Sequence, residues 1–236
     1  MGNSENTFFV SLGHNCEPDF KIRKFDKRAQ SFAFSYCQIT DPFLFLQSLG
    51  NLDLIKEGPW QVYKNNMVIS STTHIAFHTR DNFDLTNPDS FALALAELNS
   101  RQIHLIEKTK SLFGDASKRK VLIQMLPSEW PHADYLPGLF KALSSAVCGD
   151  FFVVLVCQKK DYKRIRRVCY SLKANNVGVF GVRKLGNPTK ANDAFGWYRV
   201  LRRFKNGSPL RYFYSNYPIV RWLLAPLIFV RRSCKR

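Results

Sequence analysis

Apolar residues along this chain fall into continuous runs and spaced runs, and the two kinds predict different elements. Val121-Leu122-Ile123-Gln124-Met125-Leu126, Phe151-Phe152-Val153-Val154-Leu155-Val156 and Val177-Gly178-Val179-Phe180-Gly181-Val182 are nearly unbroken and rich in β-branched side chains. Such runs predict strands buried on both sides. Between them, 133–147 carries helical spacing, and 161–175 carries a basic amphipathic version of it. Strands alternating with helices predict an α/β fold with a mostly parallel sheet and helices on both faces. In the first half, Phe8-Phe9-Val10-Ser11-Leu12, ended by Gly13, predicts another buried strand. A helix is expected after it, with Asn15 or Cys16 as cap and Pro18 in the first turn. Further helices are expected from Asp41-Pro42 to Leu49 and from Pro88 to Phe113, with strands within 60–78. We expect one α/β domain over 1–198 and a separate tail over 199–236.

The composition narrows the class. The chain has 236 residues, 45% of them hydrophobic, with 20 Phe, 9 Tyr and 4 Trp. That excludes an intrinsically disordered chain and allows a sizeable core. The apolar runs all stop short of 18 residues, so no ordinary transmembrane helix is expected. Met1 to Thr7 lacks the layout of a signal peptide, so the expected location is cytoplasmic or peripheral on the inner membrane. The six cysteines show no CxxC or Cys/His pairing of metal-ligand spacing. Cys148, Cys157 and Cys169 are expected as buried free thiols, and neither a disulfide framework, a metal nor a cofactor is expected.

Charge adds a second region. The net charge is +17, and after Asp193 there are ten basic residues and no acidic one. In this tail Trp222-Leu223-Leu224-Ala225-Pro226-Leu227-Ile228-Phe229-Val230 lies between Arg221 and Arg231-Arg232. Aromatic and aliphatic residues flanked by cations fit an anchor on an anionic membrane surface. Packing of the same run against the body is the competing reading. Nucleic acid is a poor fit, because basic residues are interrupted by an apolar run and no recognition motif is visible.

Candidate chemistry concentrates at Ser11-Leu12-Gly13-His14-Asn15-Cys16, where a strand turns into a helix. In open α/β sheets ligands gather at the carboxyl ends of strands. A thiol at a helix N-terminus feels the positive end of the dipole, which lowers its pKa. Glu17 and Asp19 oppose that effect if they approach the sulfur. Cys16 is therefore a candidate nucleophile, or a small residue filling a turn. A base is sought among five histidines. His74 and His78 end an expected strand, where alternation would put both imidazoles on one face. The same pair is compatible with a two-histidine metal half-site, for which only Asp81 and Asp84 offer further ligands and no convincing third one is visible; for a base, those two aspartates are candidate orienting acids. A weaker acidic candidate, Asp193, follows the last clear strand.

The Ser-Leu-Gly-x-x-Cys turn, the aromatic block Ala33-Phe34-Ser35-Tyr36 and Phe77-His78 together resemble a bacterial family of unknown function labelled papain-like cysteine peptidase. The similarity covers roughly residues 8–126. It implies Cys16 as nucleophile and His78 as base. Gly13, His14, Asn15, Ser35 and His74 are our candidates for residues around the substrate. The family pattern has Pro-Phe-Asp-Trp where this chain has Ala33 to Tyr36, so its acid is replaced by Ser35. A nucleophile on the first strand-to-helix turn of a parallel sheet also resembles GDSL-type hydrolases, with Cys16 in place of their serine. Either resemblance implies thiolate attack on an acyl carbon, with backbone N–H groups near Asn15 to Glu17 as oxyanion donors. The family's association with surface-polysaccharide loci implies a glycan-linked or acyl-bearing substrate. The expected function is a cysteine hydrolase or acyltransferase. The alternative is a sugar- or phosphate-handling or membrane-surface module without thiol catalysis.

Overall fold

The computed structural model describes residues 6–26, 28–64, 66–79, 87–183, 185 and 194–204. Its framework is a parallel four-stranded sheet built from β1 (Thr7–Ser11), β6 (Arg119–Leu126), β7 (Phe151–Gln158) and β8 (Val177–Val182), in the order β1-β6-β7-β8. The continuous apolar runs are these strands; β6 and β7 in the centre are largely buried, whereas β8 at the edge is mostly half-buried rather than covered on both sides as its sequence predicts. Helix α4 (His132–Ala146) links β6 to β7, and α5 (Tyr162–Ser171) links β7 to β8.

Alternate residues of the strands enter two separate apolar clusters, as period-two side chains must. Val10, Leu122, Leu126, Val153 and Leu155 pack with Leu136, Leu139 and Leu143 of α4 and with Ile165 of α5. Phe9, Val121, Ile123, Val154 and Val156 pack with Ile22 and Phe25 of α1 (Glu17–Phe25) and with Trp197, Val200 and Leu201 of α6 (Ala194–Arg202). A buried bond from Trp197 Nε1 to Glu17 Oε1, 2.9 Å, ties α6 to α1. The packed body thus runs through Arg202, past the expected boundary at 198, because Val200 and Leu201 are core residues. The basic run beyond Phe204, with Trp222–Val230, lies outside the described residues, as do Asp81, Asp84 and Asp193.

The strands within 60–78 form a second sheet. It is antiparallel, with β2 (Cys37–Ile39), β5 (Ile75–His78), β4 (Met67–Ser70) and β3 (Trp60–Lys64) in that order. Two capped helices frame it. In α2 (Pro42–Gly50) Pro42 opens the helix and the Asp41 carboxylate accepts from the N–H of Phe43 and Leu44, at 2.8 and 3.0 Å. In α3 (Pro88–Gly114) Asn87 accepts from Asp89 N–H at 3.0 Å. A side chain that satisfies these orphan donors fixes where a helix starts. All of this second sheet, with α1, α2 and α3, lies in the chain between β1 and β6, two strands that pair directly.

Candidate active site

The turn from β1 into α1 is shaped by backbone constraint. Gly13 and His14 have φ of +84° and +83°. A Cβ on Gly13 would lie 2.5 Å from Cys37 Sγ, so glycine is required twice over, for its conformation and for this contact. Asn15 Oδ1 then accepts from Glu17 N–H at 2.8 Å, and Cys16 occupies the N-cap position without capping through its sulfur. Its thiol opens into a cavity of about 610 Å³ lined by Cys16, Phe20, Ser31, Ser35, Tyr36, Phe77, His78, Arg101, Gln102 and Leu105. Cys16 and His78 both line this cavity. Cys16 comes from the N-cap of α1, after the turn that follows β1, Ser35 from the loop before β2, and His78 from the last residue of β5.

The other expected positions are elsewhere. Gly13 packs over Cys37, and Asn15 is spent on the helix start. His14 stacks edge-on against Trp130, 5.2 Å between centroids. Burial holds its pKa down at about 4, against the pull of Glu129 and a bond to the Ile39 carbonyl. His74 does not share a face with His78. It precedes β5, has φ of +53° and is exposed, so the turn breaks the alternation that the sequence implied. Among the cysteines, Cys157 and Cys169 are buried as expected, but Cys148 is exposed.

Electrostatics at Cys16 run opposite to the helix-dipole expectation. Burial, and then the charge of Asp19, push the thiol up to about 12. The dipole effect is of order 1 kcal/mol and is outweighed by desolvation. Asp19 itself is 5% exposed. Burial raises its pKa to about 6, although the Tyr36 N–H at 2.9 Å and the Ser35 and Ser11 hydroxyls all bond to it. So the carboxylate missing at 35 has a neighbour: α1 places Asp19 beside Ser35. The sequence named Asp19 only as an opponent of the thiolate. Its spacing of one helical turn from Cys16 was the available signal for a place on the same face.

The His78 pKa is lowered by burial and then by Arg101 and Lys64. Arg101 donates to the His78 backbone carbonyl. Arg101 and Gln102, which the sequence did not mark, come from the middle of α3. Around the cavity mouth, Arg23 donates to Ser31 Oγ and lies over the Tyr36 ring, 5.4 Å from its centroid.

A second polar cluster follows β6 and β7. Ser128 Oγ donates to Asp161, Arg164 bridges Asp161 Oδ1 and His132 Nδ1 at 3.1 and 3.0 Å, and His132 Nε2 donates to the Pro127 carbonyl at 2.8 Å. It has the residue types of a hydrolase but not the wiring. Both ring nitrogens of His132 are occupied, and the serine proton is held by a carboxylate. Among the described residues, no group of three metal-ligating side chains is assembled, and no helix is long and apolar enough to cross a membrane. Comparison with family models, with curated proteins and with solved structures finds no match for this chain.

Proposed function

We propose that the chain is a thiol-dependent acyl hydrolase or acyltransferase with Cys16 as nucleophile and His78 as general base. The observation that carries this reading is the shared cavity, in which Cys16 at the start of α1 and His78 at the end of β5 line one space with Ser35. The high thiol pKa and lowered imidazole pKa mean that the resting pair is neutral. A neutral imidazole is the form able to accept a proton. It takes the thiol proton as sulfur attacks the acyl carbon. The C–S bond forms, the carbonyl electrons move to oxygen, and on collapse the imidazolium returns its proton to the leaving oxygen or nitrogen. Water or another acceptor then cleaves the thioester by the same relay. The Glu17 N–H is bonded to Asn15, which leaves the N–H groups of Asn15 and Cys16 as the oxyanion donors.

The frame we infer is a mostly parallel sheet with helices on both faces and a basic C-terminal appendage. The appendage holds the enzyme at an anionic membrane surface, cytoplasmic side, where an acyl-bearing or glycan-linked substrate is met. Deleting 205–236 spares α6 and is expected to abolish co-sedimentation with phosphatidylglycerol vesicles; retained binding would overturn the anchor.

The test of the chemistry is p-nitrophenyl octanoate with the whole chain. The expected result is a burst of nitrophenolate and an octanoyl adduct on the Cys16 peptide. His78→Ala should slow the burst by about 10²-fold or more. The burst rate should rise with pH through the lowered His78 pKa, levelling below the ordinary histidine range. An adduct spread over the cysteines, or a burst indifferent to His78→Ala, would support the second reading: a binding module without thiol catalysis. That reading draws on the high Cys16 pKa and the absent acid at Ser35.

A further inference from the structure

The cavity carries more polar instruction than the thiol and imidazole use. Gln102 is 1% exposed and lines the cavity, and its Oε1 accepts no hydrogen bond among the described residues. A buried acceptor left unpaired destabilises the fold unless an occupant supplies a donor. One cation lines the space and three more act on its walls or on one another nearby. Arg101 lines it, Arg23 touches its Ser31 and Tyr36 walls, Lys64 acts on His78, and Lys108 lies near Arg23. Two carboxylates act among them, Asp19 on Arg23 and Glu97 on Arg101. None of the four cations stands in an ion pair with a described carboxylate. The remaining lining is apolar: Phe20, Phe77 and Leu105.

We propose that this cavity selects an anionic amphiphile, with its apolar chain against Phe20, Phe77 and Leu105, a carboxylate or phosphate drawn to Arg101, and an N–H or O–H donating to Gln102 Oε1. Resting on the acyl-transfer reading, this makes the substrate an acyl compound whose leaving portion bears the anion. The acyl carbon then lies between the chain and the charge, within the walls that hold Cys16 and His78. Arg101 also fixes the backbone end of His78, so it couples the charge it attracts to the place of the base.

The test uses the full chain with Cys16→Ser, so that binding is read without turnover, and calorimetry with N-octanoylglycine, its ester counterpart octanoyl glycolate, octyl phosphate and octylammonium. Both carboxylate and phosphate probes are expected to bind, and the ratio of their affinities assigns the anion; octylammonium is expected not to bind. Arg101→Gln should weaken N-octanoylglycine by roughly five-fold or more at low salt, and Arg101→Lys should restore most of it. The amide should exceed the ester by roughly five-fold, a difference that vanishes in Gln102→Leu. Equal binding of octylammonium, or amide and ester bound alike in the presence of Gln102, overturns the proposal. Turnover is measured separately in the unmodified chain: selective binding without cleavage of N-octanoylglycine or octanoyl glycolate would leave the selectivity standing and count against the thiol mechanism alone. Far-UV circular dichroism and melting of each variant separate lost binding from lost fold.

Discussion

The cluster after β1 and the cluster after β6 and β7 hold similar residue types and have opposite characters. Around Asp161 the serine, arginine and histidine satisfy one another, and the histidine has no free nitrogen. Around Cys16 the polar groups are satisfied only in part. Asp19 is well hydrogen-bonded yet held at a raised pKa by burial, whereas Gln102 keeps an unpaired oxygen and the imidazole of His78 makes no hydrogen bond among the described residues. A closed polar network stabilises and specifies a structure; an incomplete one beside a cavity stores capacity for a ligand. Size alone does not separate function from packing. A cavity of about 660 Å³ between α5 and β8, lined by Cys169, Tyr162 and Val177, is as large as the candidate site and holds no acid–base pair.

The sharpest way to break this contrast is at Asp161. Asp161→Ala leaves Ser128 and Arg164 without their partner and is expected to cost about 3 kcal/mol in urea unfolding, with Cys16 acylation unchanged. A loss of acylation at preserved fold would show that the second cluster takes part in the chemistry. Next comes Asp19→Asn. A carboxyl whose pKa is raised from 3.8 to about 6 on folding stabilises the fold below pH 4 and loses that contribution as pH rises through 6. The amide does not titrate, so the variant should match the parent near pH 4 and exceed it by about 3 kcal/mol above pH 7. It should also speed Cys16 alkylation at pH 8, since the charge that raises the thiol pKa is gone. Ser35→Asp, which restores the acid of the resembling family, places a second carboxylate beside Asp19. It should lower stability by about 2 kcal/mol at pH 7 and less at pH 4, and Asp19→Ser in the same chain should relieve it. Smallest is Gln102→Leu, expected to be neutral or stabilising by about 1 kcal/mol in the absence of ligand, the reverse of the effect at Asp161.

Much of the frame was legible in the chain. The runs at 121–126 and 151–156 are central strands because continuous apolar, β-branched residues suit a sheet buried on both sides, the run at 177–182 is a strand too but lies at the sheet edge and is mostly half-buried, and Pro42 and Pro88 mark helix starts. Cys16 was legible as a strand-to-helix turn and His78 as the end of a strand, while the choice of His78 over His74 came through resemblance. What failed were features set by tertiary contact or by single dihedrals. The left-handed turn at His74 interrupts a pattern that looks like unbroken alternation. The thiol pKa depends on burial that no spacing reveals. Arg101 and Gln102 sit on a 27-residue helix whose polar positions look alike until the antiparallel sheet gives one of its faces a cavity.

Every residue lining the candidate site falls between Cys16 and Leu105, inside the excursion that leaves the parallel sheet at β1 and re-enters at its neighbour β6. The five paired positions of that ladder act as a clasp on a long loop. Closing a loop costs entropy only as the logarithm of its length, about 0.6 kcal/mol per doubling. Closure of the ladder therefore tolerates changes in the length of the excursion, whereas α1 and α2 are bound to the scaffold by the cores they share with the sheet and α4. The segments free to vary are the turns between those helices and the antiparallel strands, and it is there that the lining of the cavity can change while the packed frame is kept.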